Sequence, residues 1–375
     1  MAKKVYMGVN NVARQSKKSY IGVSDKARKM KKGYIGVGGV ARPFWSGGEL
    51  AYYGQITGLS IGRYNLAATT IGDYALFGGG QADNYNDRTV VDAFNKSLTR
   101  SNPQVLSAVM YHHAATTVGD YALFGGGMLN SVVNAYDKSL TRSIPSALSV
   151  QMKMHAATKV GNYALFGGGC TGSGNTTSNN SNVVNAYDTS LTRSIPTALY
   201  QKRHDLAATS VGNYALFGGG YAGTPDGRVE AYDTSLTRSL PTMLPNNRYL
   251  LAATTVGDYA LFGGGKSSVY DDCHVDAYDS SLTLIEVESL SVNMYNLAAT
   301  TVGDYALFGG GHISDSEYYN SVVNAYDKSL TKTIPTGLSV GRWGLAATTV
   351  GDYALFGGGN SEGSIESTVV DAYVV

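Results

Sequence analysis

Aromatic and imidazole side chains recur at one position of an internally repeated sequence. They stand two residues before a Leu-Ala-Ala or His-Ala-Ala motif and comprise Tyr64, Tyr111, His204, Tyr249, Tyr295 and Trp343. In four repeats an arginine stands immediately before this position: Arg63, Arg203, Arg248 and Arg342. Rings stack on sugar faces, and rings and arginines anchor protein segments. The pattern predicts a ligand-binding ring formed by these ten side chains, although packing between repeats would also account for it.

Residues for catalysis or metal binding do not form a comparable pattern. No His, Cys, Asp or Glu cluster recurs with metal-ligand spacing, and there is no Gly-x-Ser-x-Gly, phosphate loop or repeated carboxylate pair. His113 and His155 occupy a column that elsewhere holds Leu, which favours a packing role. Cys170 and Cys273 stand at unmatched repeat positions. The sequence therefore predicts no catalytic residue, no metal, no cofactor and no disulfide.

The repeat itself is marked by Ala-Leu-Phe-Gly-Gly-Gly, which occurs seven times. The first glycine of each triplet is Gly78, Gly125, Gly167, Gly218, Gly263, Gly309 or Gly357. Repeat units with the spacing of these glycines are typical of propeller blades with four strands each. In the last units we predict strands at 345–350, 353–356, 322–326 and 330–334, with a hairpin turn at Gly351-Asp352. The fold class is therefore predicted to be all-β, a seven-bladed β-propeller.

The unit resembles the kelch repeat, in which a strand ends in paired glycines and a tyrosine follows at a set distance. The resemblance covers residues 49–375 and includes the arginines above, with His113 and His155. The repeat's tryptophan is missing, and Leu-Thr-Arg-Ser stands in its place. The resemblance implies a kelch-like propeller, a fold that serves unrelated functions.

The last repeat ends one strand short, and the missing strand is found before the first repeat. Residues 50–60 resemble 330–339, the fourth-strand segment of the sixth repeat. We predict that 49–60 adds the outer strand to the last blade and so removes an open sheet edge. The propeller domain is accordingly assigned to residues 45–375.

Residues 1–44 form a separate basic arm of three 14-residue repeats. Eleven Lys and Arg against one Asp give the arm +10, and the chain total of +1 leaves −9 for the remainder. We predict strand–turn–strand units with turns at 10–11, 24–25 and 38–39, too polar to form a core alone. Regularly spaced charges favour docking to a protein scaffold, or to another copy of the chain, over nucleic acid. The predicted docking residues are Lys3, Lys4, Tyr6, Lys17, Lys18, Tyr20, Lys31, Lys32 and Tyr34.

The repeats differ from one another at only some of their connections. The turns after the first and third strands are nearly constant, whereas the loop after the triple glycine and the approach to each first strand vary. In a propeller the two constant connections share one face and the two variable connections share the other. The variable loops are rich in Tyr, Ser, Asn and Gly, a composition of adaptable recognition surfaces. Their candidate contact residues are Tyr85, Tyr270, Tyr318 and Tyr319.

The arm resembles the N-termini of phage and prophage structural proteins of Gram-positive hosts. This resemblance rests on the tandem Lys-Lys-x-Tyr-Ile-Gly-Val and Ala-Arg elements. It implies a protein on the tail or capsid exterior, made in the host cytoplasm without a signal peptide, that recognises a host-surface glycan or protein. The alternatives are an intracellular kelch adaptor that binds a protein partner, and a propeller enzyme with a dispersed site at the channel mouth. No membrane association is predicted, because the sequence lacks an apolar run of spanning length.

Overall fold

The protein is described by a computed structural model. The described residues are 48–84, 88–128, 130–172, 177–269, 271–313, 319–363 and 365–375, with the strand backbones 5–9, 12–16, 20–23, 26–29, 33–37 and 40–45. Within them there is no α-helix, and a 3-10 helix spans Thr177–Asn179. None of the described residues forms a helix that could cross a membrane.

Seven four-stranded antiparallel sheets form the propeller, as predicted, and we number them as blades 1–7. The first, innermost strands are Ala67–Ile71, Ala114–Val118, Ala156–Val160, Ala207–Val211, Ala252–Val256, Ala298–Val302 and Ala346–Val350. The second strands are Tyr74–Gly78, Tyr121–Gly125, Tyr163–Gly167, Tyr214–Gly218, Tyr259–Gly263, Tyr305–Gly309 and Tyr353–Gly357. The third strands are Val91–Asn95, Val133–Tyr136, Val184–Tyr187, Val229–Asp233, Val275–Asp279, Val323–Asp327 and Val370–Val374. The fourth strands are Arg100–Ser101, Arg142–Ser143, Arg193–Ser194, Arg238–Ser239, Leu284–Val287, Lys332–Thr333 and, for blade 7, Ala51–Gln55. A small hairpin in the last variable loop pairs Asn360–Ser361 with Ile365–Glu366.

The burial of the strands follows from their place in a blade. The first strand alternates between buried and half-buried residues, because one side faces the central channel. The second and third strands are buried on both sides between neighbouring blades, which explains their unbroken apolar character. In blade 2, Tyr136 packs edge-on against Phe124 and its hydroxyl donates to the backbone oxygen of Gln104, 2.7 Å away. The recurring third-strand tyrosine therefore joins blades 2–7 to the segment that precedes each of them, whereas blade 1 has Phe94 at this position.

The ring is closed by the strand that was predicted to close it. Ala51–Gln55 pairs antiparallel with Val370–Val374, with a bulge between Ala372 and Tyr373. The Tyr52 hydroxyl donates to the Asp371 carboxylate over 2.7 Å. The first and last parts of the propeller thus share one blade, which leaves no unpaired edge there.

The second glycine of each triplet has a positive φ and almost no space around its α-carbon. A Cβ on Gly126 (φ 73°) would lie 2.5 Å from the backbone oxygen of Met152 and 2.7 Å from the ring of His155. We expect Gly126→Ala to lower the free energy of unfolding by about 3 kcal/mol or more, from left-handed strain of ~1–2 kcal/mol plus the clash. Gly363 (φ 78°) is the matched control, because its nearest neighbours are 3.7 Å away. Chemical denaturation of both variants tests this, and equal losses would contradict the steric account.

The arm contains three antiparallel hairpins, which agrees with the predicted strand–turn–strand units. Val5–Val9 pairs with Val12–Ser16, Tyr20–Val23 with Lys26–Lys29, and Gly33–Val37 with Val40–Trp45. Tyr6, Tyr20 and Tyr34 lie in the first strand of each hairpin. The predicted docking lysines, Lys3, Lys4, Lys17, Lys18, Lys31 and Lys32, lie outside the described residues. The domain boundary near residue 45 stays a prediction.

Candidate binding site at one mouth of the channel

The central channel has a cavity at each mouth, and the two are lined differently. The cavity on the face of the constant turns, about 520 Å³, is lined by Thr, Ser, Ala and Gly of the first strands, with Lys159 as the exception. Threonine hydroxyls link neighbouring first strands here, for example Thr70 to Thr348 and Thr209 to Thr255, both over 2.8 Å. We call this end the constant mouth.

The cavity at the other end, about 280 Å³, we call the cup. Its rim is formed by one residue from each blade, immediately before the Leu or His of the first-strand motif: Asn65, His112, Met154, Asp205, Leu250, Asn296 and Gly344. Its wall is formed by the next residue of each blade: Leu66, His113, His155, Leu206, Leu251, Leu297 and Leu345. We call this end the variable mouth.

A closed circle of backbone hydrogen bonds holds the rim. Each rim residue donates its N–H to the backbone oxygen of the rim residue one blade earlier, and Asn65 donates to Gly344, so that seven bonds of 2.7–3.2 Å close on themselves. All seven rim residues have a left-handed backbone, with φ between 52° and 63°. This conformation costs ~1–2 kcal/mol for a residue with a Cβ, and such strain concentrates at functional sites.

The rim interleaves polar and apolar residues: Asn65, His112, Asp205 and Asn296 are polar, and Met154, Leu250 and Gly344 separate them around the circle. Asn65 Nδ2 lies 3.2 Å from His112 Nε2, and Asp205 Oδ2 lies 2.8 Å from His204 Nδ1. Burial lowers the pKa of His112, so its imidazole is neutral at physiological pH. Leu250 lies between Asp205 and Asn296 in the circle, and the wall beneath these three residues consists of Leu206, Leu251 and Leu297.

His113 and His155 stand in the wall where the other blades have Leu, and the structure agrees with a packing role. Their exposed fractions are 7% and 6%, and each packs against a phenylalanine ring, Phe124 and Phe166, at 6.0 Å. Burial lowers the pKa of His113 to about 3 and that of His155 to about 4. The wall therefore carries no charge at neutral pH.

The predicted aromatic ring lies beside the cup rather than around it. Its members are half-buried or, for His204, buried, and they precede the rim residues. Five of the six are joined to the first residue after the triple glycine through isolated bridges such as His204–Tyr221, Tyr249–Lys266 and Tyr295–His312, and Tyr111 accepts a hydrogen bond from the N–H of Met128. Tyr64 contacts Trp343 edge-on at 5.3 Å, and Arg88 lies over Tyr111 at 5.5 Å.

An arc of ring contacts crosses blades 4–6 on this face. His204, Tyr221 and Tyr249 make successive tilted ring contacts at 5.5 and 5.2 Å, and Tyr295 contacts His312 in the same way at 5.1 Å. Lys266, bridged to Tyr249, places its ammonium 4.9 Å above the Tyr295 ring. Tyr319, one of the predicted loop residues, continues the arc against His312 at 5.9 Å. Of the other predicted loop residues, Tyr85, Tyr270 and Tyr318 lie outside the described residues.

The four arginines predicted to flank a ligand do not reach the surface, and that prediction is wrong. Arg63, Arg203, Arg248 and Arg342 are fully buried. Each guanidinium pairs with a buried carboxylate of the third strand of its own blade: Asp92, Glu230, Asp276 and Asp371, respectively. Each also donates to the backbone oxygen of the second-strand phenylalanine, as Arg248 does to Phe262 over 3.2 Å. A buried guanidinium needs this pairing, which makes the arginines structural.

Sequence reasoning missed two sets of residues at the variable mouth. The rim residues are not among the predicted residues, although their column holds six residue types in seven repeats, against four types in the column before it and two in the column after it. Tyr221, Lys266 and His312 are not among them either, yet they are the bridge partners of the aromatic column. The greater variation of the rim column than of its two neighbours was the signal for the rim. In the described part of the chain, no three His, Cys, Asp or Glu side chains are arranged to hold a metal ion.

Comparison with known proteins supports the fold. No protein-family model matches the chain, and no curated protein matches it. Among solved structures, one described as "Structure of YjhT" superimposes with a TM-score of 0.58 at 12% identity. The match covers 75% of this chain and 99% of that one. At this identity the similarity extends to the propeller fold alone.

Proposed function

We propose that the protein is a phage-particle component in which the arm docks to another particle protein and the variable mouth binds a host-surface ligand. The observation that carries the binding role is the unequal divergence of the two mouths. Thr, Ser and Ala dominate the constant mouth, whereas six residue types occupy the seven rim positions of the cup. Both sets face the channel, so packing demands do not explain why only one has diversified.

The direction of the chain supports docking on one face of the propeller and ligand binding on the other. Ala51 pairs with Val374 at the end of the last third strand, which is the constant-turn side of the blade. The chain that follows the arm therefore enters the propeller on the face opposite the variable mouth. A protein docked through the arm would have its variable mouth free to meet a ligand.

The phage assignment rests on the arm. Its tandem hairpins and net charge of +10 suit a segment that is stabilised by a partner protein, since an isolated hairpin is marginal in water. The rival functions are an intracellular kelch adaptor and an enzyme with a dispersed channel-mouth site. We propose binding rather than catalysis, because the cup presents amides, imidazoles and leucines without a nucleophile–base pair directed at a common point.

The binding role predicts a large loss from removing two rings of the arc. We expect the full-length double variant Tyr249→Ala, Tyr295→Ala to bind host cells at least tenfold more weakly, because central aromatic contacts each contribute ~1–2 kcal/mol or more. Lys138→Ala with Lys328→Ala is the control, since both lysines are exposed on the constant face. Flow cytometry of labelled protein on host cells measures the difference, and equal loss in the two variants would refute a variable-face site.

The docking role has its own test. Purified particles should contain the protein, and Lys31→Glu with Lys32→Glu should reduce its incorporation severalfold while host-cell binding by the free protein is unchanged. Mass spectrometry of particles grown with each variant gives the result. Absence of the wild-type protein from particles would remove the phage assignment and favour the adaptor.

A further inference from the structure

We propose that the cup binds one neutral, pyranose-sized sugar residue, the terminal residue of a glycan whose next residues lie on the arc of rings. This deepens the proposed function, on which it rests, by naming the ligand class of the variable mouth. Four properties of the cup carry the inference: its hydrogen-bonding groups, its apolar wall, its charge and its size.

The polar residues of the rim match the hydrogen-bonding needs of hydroxyl groups. A hydroxyl both donates and accepts, so a polyol is best held by groups of both kinds. Asn65 and Asn296 each supply an amide donor and an amide acceptor, and the Asp205 carboxylate supplies acceptors. Asp205 is held in place by His204 through Oδ2.

The wall beneath the rim offers a surface for C–H groups. Leu206, Leu251, Leu297 and Leu345 of four consecutive blades form one apolar sector of the wall. A pyranose has hydroxyls at its edge and a face of C–H groups, so its edge would meet the polar groups of the rim and its face the leucines of the wall. Gly344 places no side chain on the rim between Asn296 and Asn65, and we call this position the cup gap, although Asn65 Oδ1 lies 3.0 Å from where a Cβ would be; here the next sugar residue would leave toward Trp343 and Tyr64.

The charge and the size of the cup restrict the class of ligand further. Among the described residues that line the cup, Asp205 is the single acidic side chain and there is no Lys or Arg, while burial lowers the pKa values of the three lining histidines. An anionic ligand would meet the carboxylate without a cation in the lining to offset it. The volume of about 280 Å³ lies just below the ~300–1,000 Å³ of drug-sized sites, which suits one sugar ring.

The experiment uses Trp343 as a reporter. The full-length chain has two tryptophans, and Trp45→Phe leaves Trp343, which touches Tyr64 beside the cup gap. Titration with glucose, galactose, mannose and N-acetylglucosamine, and with glucuronate as an anionic comparison, is expected to give millimolar binding of at least one neutral sugar. Glucuronate should bind at least tenfold more weakly than the best neutral sugar.

Gly344→Leu tests the location. It adds a side chain at the cup gap: the new Cβ would lie 3.0 Å from Asn65 Oδ1, so this amide must move, while Leu250 shows that Leu adopts the same left-handed conformation, with φ 56°. We expect this variant to bind the sugar at least tenfold more weakly, and Asp205→Asn to bind it several-fold more weakly. Lys159→Thr is the control, because it restores the common residue at the constant mouth and should bind normally.

The outcomes separate the ligand class from the proposed function. If no neutral sugar binds but Gly344→Leu abolishes binding to host cells, the cup is the site and its ligand is a protein or a charged glycan, which overturns the neutral-sugar inference alone. If neutral sugars bind Gly344→Leu as tightly as the parent, the sugar is not in the cup and the inference also fails. If neither sugar nor cell binding responds to Gly344→Leu or to the ring substitutions, both proposals fall.

Discussion

Arg248→Met is expected to lower the free energy of unfolding by about 3–5 kcal/mol, and adding Asp276→Asn to restore most of that loss. The single substitution leaves the Asp276 carboxylate, 3% exposed, without the guanidinium that lies 2.5 Å away. Removing one partner of a buried ion pair costs this much because the remaining charge stays desolvated. Asp276→Asn alone should lower the free energy of unfolding by a similar amount, since it leaves the buried guanidinium without its carboxylate.

The expectation of rescue comes from the chain's own repeats. Four blades carry an arginine opposite a carboxylate, and the other three carry a methionine opposite an asparagine: Met110 with Asn134, Met152 with Asn185, and Met294 with Asn324. In two of these the amide nitrogen lies against the thioether sulfur, at 3.4 Å for Asn134 and 3.6 Å for Asn185. The neutral pair therefore fills the same interior space, and replacing an ion pair by groups of similar volume is often neutral or stabilising.

Urea denaturation of the parent, the two single variants and the double variant gives the coupling energy directly. We expect the double variant within about 1 kcal/mol of the parent and a coupling of several kcal/mol between the sites. Met294→Leu, a volume-conserving change in the neighbouring blade, is the control and should cost less than ~1.5 kcal/mol. Additive losses in the double variant would contradict the account of one interchangeable pair.

The same repeats show why the fold was predictable and the arginines were misplaced. Strand positions and the closing strand follow from a pattern repeated seven times, because a blade must alternate channel-facing and packed residues. The arginines were assigned to the surface from one column read alone. Their partner column, some 28 residues later, changes from acid to Asn whenever Arg changes to Met. Read together, the two columns indicate a buried pair.

The candidate site was predictable only to the correct face. The binding face can be predicted from which connections vary between repeats. Which sequence position of the repeat lines the cup depends on the backbone conformation. Leu250 and Met154 adopt a left-handed φ although neither is glycine, the residue type that usually marks this conformation in a sequence. The left-handed conformation places the cup's rim one residue after the aromatic column. Likewise, the arc forms because Tyr221 and His312 bridge to His204 and Tyr295, which is a contact across the blade rather than along the sequence.

The two wall histidines are expected to make the propeller's stability depend on pH below about 6.5. In the unfolded chain each imidazole has a pKa near 6.5, whereas burial lowers the pKa of His113 to about 3 and of His155 to about 4. Between these values the unfolded chain binds protons that the folded chain excludes, so stability rises with pH through this window and is complete above it. At pH 5 each histidine should lower the free energy of unfolding by about 2 kcal/mol relative to its value at pH 7.5.

Replacing both histidines by leucine, the residue of the other five blades, should remove this contribution. We expect the difference in unfolding free energy between pH 7.5 and pH 5 to be smaller by about 4 kcal/mol in His113→Leu, His155→Leu than in the parent. Leu251→His, which places an imidazole at the same wall position of blade 5, should enlarge the difference by about 2 kcal/mol. Denaturant titrations at the two pH values measure all three, and an unchanged pH dependence in the double variant would show that the wall does not exclude protons. Because folding requires these imidazoles to be neutral, the same result bears on the cup, whose wall would then present an uncharged surface to a ligand throughout the physiological pH range.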